Sequence, residues 1–108
     1  MNICYNIINN SETLYDKPQF YPDSARFSDT QPLPQTLQPY HSYTVIAITA
    51  EGTDEFRLQY TIHGQTGSIK LGIKKENQSF AADIQRNNIT AEEDSAITWT
   101  FTIHNSEI

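Results

Sequence analysis

Two octets in this chain alternate apolar and polar side chains. Phe56-Arg57-Leu58-Gln59-Tyr60-Thr61-Ile62-His63 places an apolar residue at every second position, and Ile97-Thr98-Trp99-Thr100-Phe101-Thr102-Ile103-His104 repeats the pattern near the C-terminus. A period of two puts one face of an extended segment in a core and the other in water. Chains with several such segments solve their burial problem by packing sheet on sheet. The predicted fold is therefore all-β: a compact antiparallel β-sandwich, with a partly open barrel as the alternative. At 108 residues the length suits one domain spanning 1–108 with one two-layer core.

Further segments follow the same logic. Ile3, Tyr5 and Ile7 alternate with Cys4, Asn6 and Ile8, predicting a first strand over Asn2–Ile8 that ends at Asn9-Asn10-Ser11. Its second face is partly apolar, so its register is open, and Cys4 is expected to be buried. Tyr43–Ala50 carries apolar residues on both faces, which suits a central or covered strand. Glu51-Gly52-Thr53-Asp54 reads as a turn, and Gly64-Gln65-Thr66-Gly67 as the turn of a hairpin joining Glu55–His63 to Ser68–Ile73. Ile69, Leu71 and Ile73 should point inward, with Gly72 marking a close approach on the other face. Lys74–Gln78 is expected to be a polar turn and Ser79–Ile84 a strand. Thr90-Ala91-Glu92-Glu93 has capping-box spacing, but no long apolar helical stripe follows, so at most one helical turn is expected there. Ala96–His104 is the predicted last strand.

All five prolines, Pro18, Pro22, Pro32, Pro34 and Pro39, lie within Asp16–Pro39. Missing amide donors interrupt a ladder, yet Tyr15, Phe20, Tyr21, Phe27 and Tyr40 make the stretch too aromatic for a free linker. It reads as an ordered excursion across a sheet over about 16–40, with a short strand near Ala25–Asp29.

Thirteen acidic against seven basic residues give a formal charge of −6. That balance argues against a nucleic-acid partner, whose backbone requires a basic footprint, and against simple attraction to anionic lipid. The lone Cys4 excludes an internal disulfide, which favours a reducing compartment. The first residues carry neither the basic nor the apolar region of a classical signal peptide, so the expected site of the chain is the cytoplasm as synthesised, with release by a non-classical route. No apolar run is long enough for a membrane-spanning helix. Three Asn-X-Ser/Thr triplets, at Asn9, Asn77 and Asn88, fit chance in an Asn-rich chain.

Catalytic grammar is missing. No serine sits in a nucleophile elbow, Cys4 has no sequence partner, and Gly64–Gly67 lacks the length and lysine of a phosphate loop. His63 and His104 fall on the polar phase of their strands and would meet only if those strands paired; His41 lies outside both, so three converging metal ligands are not expected. Glu92-Glu93-Asp94 lacks the glycine-centred spacing of a calcium loop. The expectation is a protein that is not an enzyme, with no cofactor or metal.

Binding is the remaining reading. Exposed rings on loops, with a flat apolar body and a polar handle, suit lipid head groups, sugars or proteins. The candidate ligand-binding residues are Tyr15, Phe20, Tyr21, Phe27 and Tyr40, against the simpler view that they cover an open sheet face. Trp99 sits in the apolar phase of its strand and belongs in the core. Gln59, Thr61, Thr98, Thr100 and Thr102 form a weaker candidate, a wet strand surface for another sheet. The leading expectation is a noncatalytic module binding membrane lipid or amphipathic head groups. The alternative is an acidic interaction or inhibitory module acting on a basic protein surface. Oligomeric state is left open.

The arrangement also resembles the aegerolysins and related small bacterial β-sandwich proteins. The features concerned are Ile7-Ile8-Asn9-Asn10-Ser11 after an initial strand, the Pro/aromatic excursion, Ala50-Glu51-Gly52-Thr53, and the Phe56–Ile62 strand. The resemblance implies a compact acidic β-sandwich that binds particular membrane lipids and recruits a larger pore-forming partner, as a toxin component. The chain is shorter than the usual member and has one tryptophan, Trp99, where such proteins carry several. No set of lipid-binding residues is carried over.

Overall fold

The alternating segments become strands of two five-stranded sheets in the computed structural model, which describes residues 1–105. The strands are β1 (Asn2–Asn10), β2 (Tyr15–Tyr21), β3 (Arg26–Phe27), β4 (Thr36–Leu37), β5 (His41–Ile48), β6 (Glu55–Ile62), β7 (Ser68–Glu76), β8 (Ser79–Ile84), β9 (Ile89–Ser95) and β10 (Thr98–His104). The first sheet has the order β3-β5-β1-β10-β9 and the second β4-β2-β6-β7-β8. The sheets remain separate, so the sandwich holds and the barrel alternative falls.

One core lies between them. Ile3, Tyr5 and Ile7 of β1, Val45 and Ala47 of β5, and Trp99, Phe101 and Ile103 of β10 face Phe56, Leu58 and Tyr60 of β6 and Ile69, Leu71 and Ile73 of β7. These are the positions that a period of two assigns to the buried face. Tyr5 packs against Phe56 edge-on at 5.3 Å and against Phe101 at 4.9 Å, which joins the two layers.

All pairings are antiparallel except one: β1 and β10 run parallel, with Ile7 beside Phe101. A parallel pair needs a long crossover, and here almost the whole chain intervenes. The two end strands thus occupy the middle of the first sheet, where the alternation alone pointed to antiparallel pairing throughout.

Other expectations need correction. Cys4 is half-buried, not buried, because the inward phase of β1 belongs to Ile3, Tyr5 and Ile7. Of the two alternatives for Tyr43–Ala50 the central one holds, since β5 lies between β3 and β1, but its outer face is not covered: Ile46 is half-buried and Ile48 is 43% exposed. Lys74–Gln78 is not a polar turn. The strand runs on to Glu76, and only Asn77 and Gln78, at φ 48° and 72°, make the reversal. Two consecutive left-handed residues are the signature of the tight hairpin turn that matches strand twist. Thr90–Glu93 is not a helical turn but part of β9, paired through Thr90–Thr102, Ala91–Phe101 and Glu92–Thr100. A ladder partner outweighs a local cap. Ile97 lies outside the core, 42% exposed at the turn before β10.

The Pro/aromatic excursion is ordered but more regular than expected. Its first six residues, Asp16–Tyr21, join Tyr15 in β2 despite Pro18. The ladder to β6 runs through Tyr15 and Asp16, breaks, and resumes at Gln19, Phe20 and Tyr21. Lys17, at φ 53°, and Pro18 occupy the break, where a missing donor costs no ladder bond. The short strand near Ala25–Asp29 is present as β3. Asn9, fully buried, ties the excursion to β1: its Nδ2 donates to the carbonyls of Thr13, Leu37 and Gln38 at 2.9–3.1 Å, and its Oδ1 accepts from Ser11 Oγ. From the opposite sheet, the Tyr60 hydroxyl donates to Pro34 O at 2.7 Å.

Candidate functional site

The five candidate rings divide by strand phase. Tyr15 is 3% exposed and belongs to the core. Phe20 and Phe27 are half-buried and meet edge-to-face at 4.8 Å, with Phe27 leaning on Phe56 at 6.4 Å. Tyr15 and Phe27 pack within the sandwich, and Phe20 does so while also lining the depression beside Tyr21 and Arg57. Tyr21 is 48% exposed and Tyr40 60%. Tyr40 stands at φ 60° in the turn after Pro39, closed by His41 N–H donating to Gln38 O. Such a turn holds its third residue out toward water.

The two exposed rings do not form one surface. Leu37 pairs with Tyr15 at the start of β2, three residues before Tyr40, whereas Tyr21 ends the strand. A strand of that length separates its ends by roughly 20 Å. At the Tyr21 end other apolar groups gather. Arg26, which follows the Pro22–Ala25 turn, pairs with Ile48, and Ile48 pairs in turn with Asn2. Ile97 O accepts from Cys4 N–H two residues further along β1. Among the described residues, three of the four exposed large apolar side chains therefore lie toward one end of the sandwich, Tyr21 on the second sheet, Ile48 on the first and Ile97 at the turn before β10.

Tyr21 is not isolated. It pairs with Arg57 across β2 and β6, and the guanidinium lies over the ring, 4.7 Å from its centroid. Arg57 Nε is 3.0 Å from Glu55 Oε1. Gln19 and Gln59 form the next cross-strand pair, and Gln19, Phe20, Tyr21, Arg57 and Gln59 line an open depression of about 220 Å3. Beside Arg57, Gly72 has no side chain where a Cβ would come within 3.1 Å of Asp83 O and 3.2 Å of Arg57 Cγ. The close approach expected at Gly72 is present. Lys70 lies along this gap and reaches Asp83 at 2.8 Å.

Arg57 and Gln19 were missed as site residues by sequence reasoning. The available signal was phase: Arg57 and Gln59 share the polar phase of β6. What that phase could not supply was β2 as their neighbour.

Gln59 and Thr61 lie on the second sheet and Thr98, Thr100 and Thr102 on the first, so they face opposite sides of the sandwich and make no common surface. Trp99 is in the core. His63 lies in the turn after β6 and His104 on β10 of the other sheet; His63 Nδ1 meets Asp16 Oδ2 at 2.6 Å, and His104 Nε2 meets Thr90 Oγ1 at 3.2 Å. Among the described residues no three metal-ligating side chains converge. Burial pushes the Tyr5, Tyr15 and Tyr60 hydroxyls above the ordinary tyrosine range, which marks them as packing groups.

Comparison of the chain with family models, curated proteins and solved structures returns no match. The likeness to aegerolysins rests on the sequence features quoted above alone.

Proposed function

We propose that the protein is a noncatalytic recognition module for the head groups of membrane lipids, centred on Tyr21. The observation that carries this reading is a half-exposed ring stacked on Arg57 on the outer face of the second sheet, at the end of the sandwich where Ile97 and, on the first sheet, Ile48 are also exposed. A tyrosine pairs an apolar body with a polar tip, which suits the boundary between acyl chains and water. The net charge of −6 opposes approach to strongly anionic bilayers. Neutral or zwitterionic membranes are the preferred host, and ring burial with short hydrogen bonds supplies the affinity.

Vesicle sedimentation tests this. Phosphatidylcholine vesicles, with and without sphingomyelin, should carry the protein down more than vesicles rich in phosphatidylserine. Tyr21→Ala should weaken binding about tenfold, the equivalent of roughly 1.5 kcal/mol of ring burial, while Tyr40→Ala leaves it unchanged. No binding to any composition, or equal losses from the two substitutions, contradicts the reading.

One observation favours a second reading. Glu92, Glu93 and Asp94 are exposed on β9, at the edge of the first sheet. An acidic sheet edge suits a basic protein surface. A partner held there would be released by salt and by charge reversal at Glu92 and Glu93.

A further inference from the structure

The outer face of the second sheet carries more than an exposed ring. Tyr21–Arg57 and Gln19–Gln59 are cross-strand pairs two residues apart, so four side chains tile a two-by-two patch around the depression. The Tyr21 ring holds the guanidinium, with Glu55 Oε1 3.0 Å from Nε as an ion-pair contact outside hydrogen-bond geometry. Among the described residues, its terminal nitrogens donate to no other group. A planar guanidinium fixed in this way offers two parallel donors, the geometry that a carboxylate accepts. Gln19 and Gln59 each bring an amide that both donates and accepts, which matches the hydroxyls of a sugar. The free side of Tyr21 is a flat apolar surface for the C–H face of a pyranose. At about 220 Å3, the depression lies below the roughly 300 Å3 of pockets for drug-sized ligands and suits one small polar ring.

Charge is distributed unevenly between the two sheets. Lys17, Arg57, Lys70, Lys74 and Lys75 lie on strands of the second sheet together with Asp16, Glu55, Glu76 and Asp83, a net of +1, with Arg57 paired to Glu55 and Lys70 to Asp83. Arg26 against Glu92, Glu93 and Asp94 leaves the strands of the first at −2. The chain is acidic as a whole, but contact is decided within a screening length of about 8 Å. Within that range the second sheet is the less repulsive face for an anion.

We infer that this tile binds a carboxylate-bearing sugar, a uronic or sialic acid residue presented by a soluble glycan or by the head group of an acidic glycolipid. The inference rests on the recognition reading for its location and goes beyond it in naming the ligand chemistry. Arg57 takes the carboxylate, Gln19 and Gln59 take hydroxyls, and Tyr21 takes the ring face.

Titration of isotope-labelled protein with methyl glucuronide, N-acetylneuraminic acid, methyl glucoside and acetate tests it by amide and side-chain resonances. The expected result is a shift at Gln19, Tyr21, Arg57 and Gln59 with at least one acidic sugar. The neutral glucoside should bind about tenfold more weakly, the value of one good bidentate contact, and acetate, which keeps that contact but lacks the ring and hydroxyls, should also bind more weakly than the acidic sugar. Arg57→Gln should abolish the response while the spectrum keeps its dispersion. If that variant loses dispersion, Gln59→Ala carries the same test, with a severalfold loss expected. Equal binding of glucoside or acetate, or shifts confined to other residues, overturns the inference. Phosphatidylcholine vesicles with and without a sialyl glycolipid separate the sources. Vesicle binding through Tyr21 with no response to either acidic sugar sinks the sugar inference and leaves the head-group reading. A response to free sugar with no vesicle binding does the reverse.

Discussion

At the scale of single residues, a few buried polar groups hold the excursion in place. Asn9 satisfies three carbonyls and one hydroxyl with a single side chain. Asn9→Ala leaves those carbonyls without their donor, and each buried group so stranded costs roughly 1–3 kcal/mol. Urea unfolding should show a loss of about 2–3 kcal/mol with an unchanged slope. The buried tyrosines act through pH. Burial raises the hydroxyls of Tyr5, Tyr15 and Tyr60 above 10.0, so above about pH 10 the unfolded chain releases protons that the fold retains. The unfolded state then binds fewer protons, and stability falls as pH rises. Their stabilising contribution is complete below pH 10. Tyrosinate absorbance from these three should rise together with loss of β-structure; ionisation in a fully folded chain would contradict their burial.

At the scale of elements, the sequence was legible wherever one face is dry. β6 and β10 follow their apolar phase almost residue by residue, because one face meets the core and the other meets water, whereas in β7 the opposite phase is covered too, at Lys70 and Gly72. β9 was illegible for the opposite reason. As an edge strand with Glu92, Glu93 and Asp94 exposed, it buries little beyond Ile89, and its pattern records solvent instead of pairing. β2 was hidden by Pro18, which reads as a breaker until the bulge that accommodates it is known. The candidate site was half legible for the same reason: Tyr21 stood out as an aromatic, but Arg57 became its partner only through the β2–β6 register. Turn chemistry offers a direct check. Gln78 occupies a left-handed position at φ 72° that glycine adopts without strain. Gln78→Gly should raise stability by about 1 kcal/mol in thermal or urea unfolding. Gly72→Ala should lower it, since the added Cβ would crowd Asp83 O and Arg57 Cγ.

At the scale of the whole molecule, the sandwich sorts its groups by face and by end. The strand cations sit mainly on one sheet, the acidic edge is on the other, and the exposed apolar side chains cluster mainly at one end. If short-range contact governs binding, raising salt should leave affinity for zwitterionic vesicles nearly constant. It should improve affinity for anionic ones by screening the overall negative charge. A steep loss of zwitterionic binding with salt would instead indicate long-range attraction. The most direct measurement of the central claim is amide resonance broadening by a spin label carried on the head groups of phosphatidylcholine vesicles. The account predicts broadening confined to Tyr21, Arg57, Ile48, Ile97 and their neighbours, with Tyr40 and Thr36–Leu37 untouched. Broadening centred on Tyr40, or none at any residue, would contradict it.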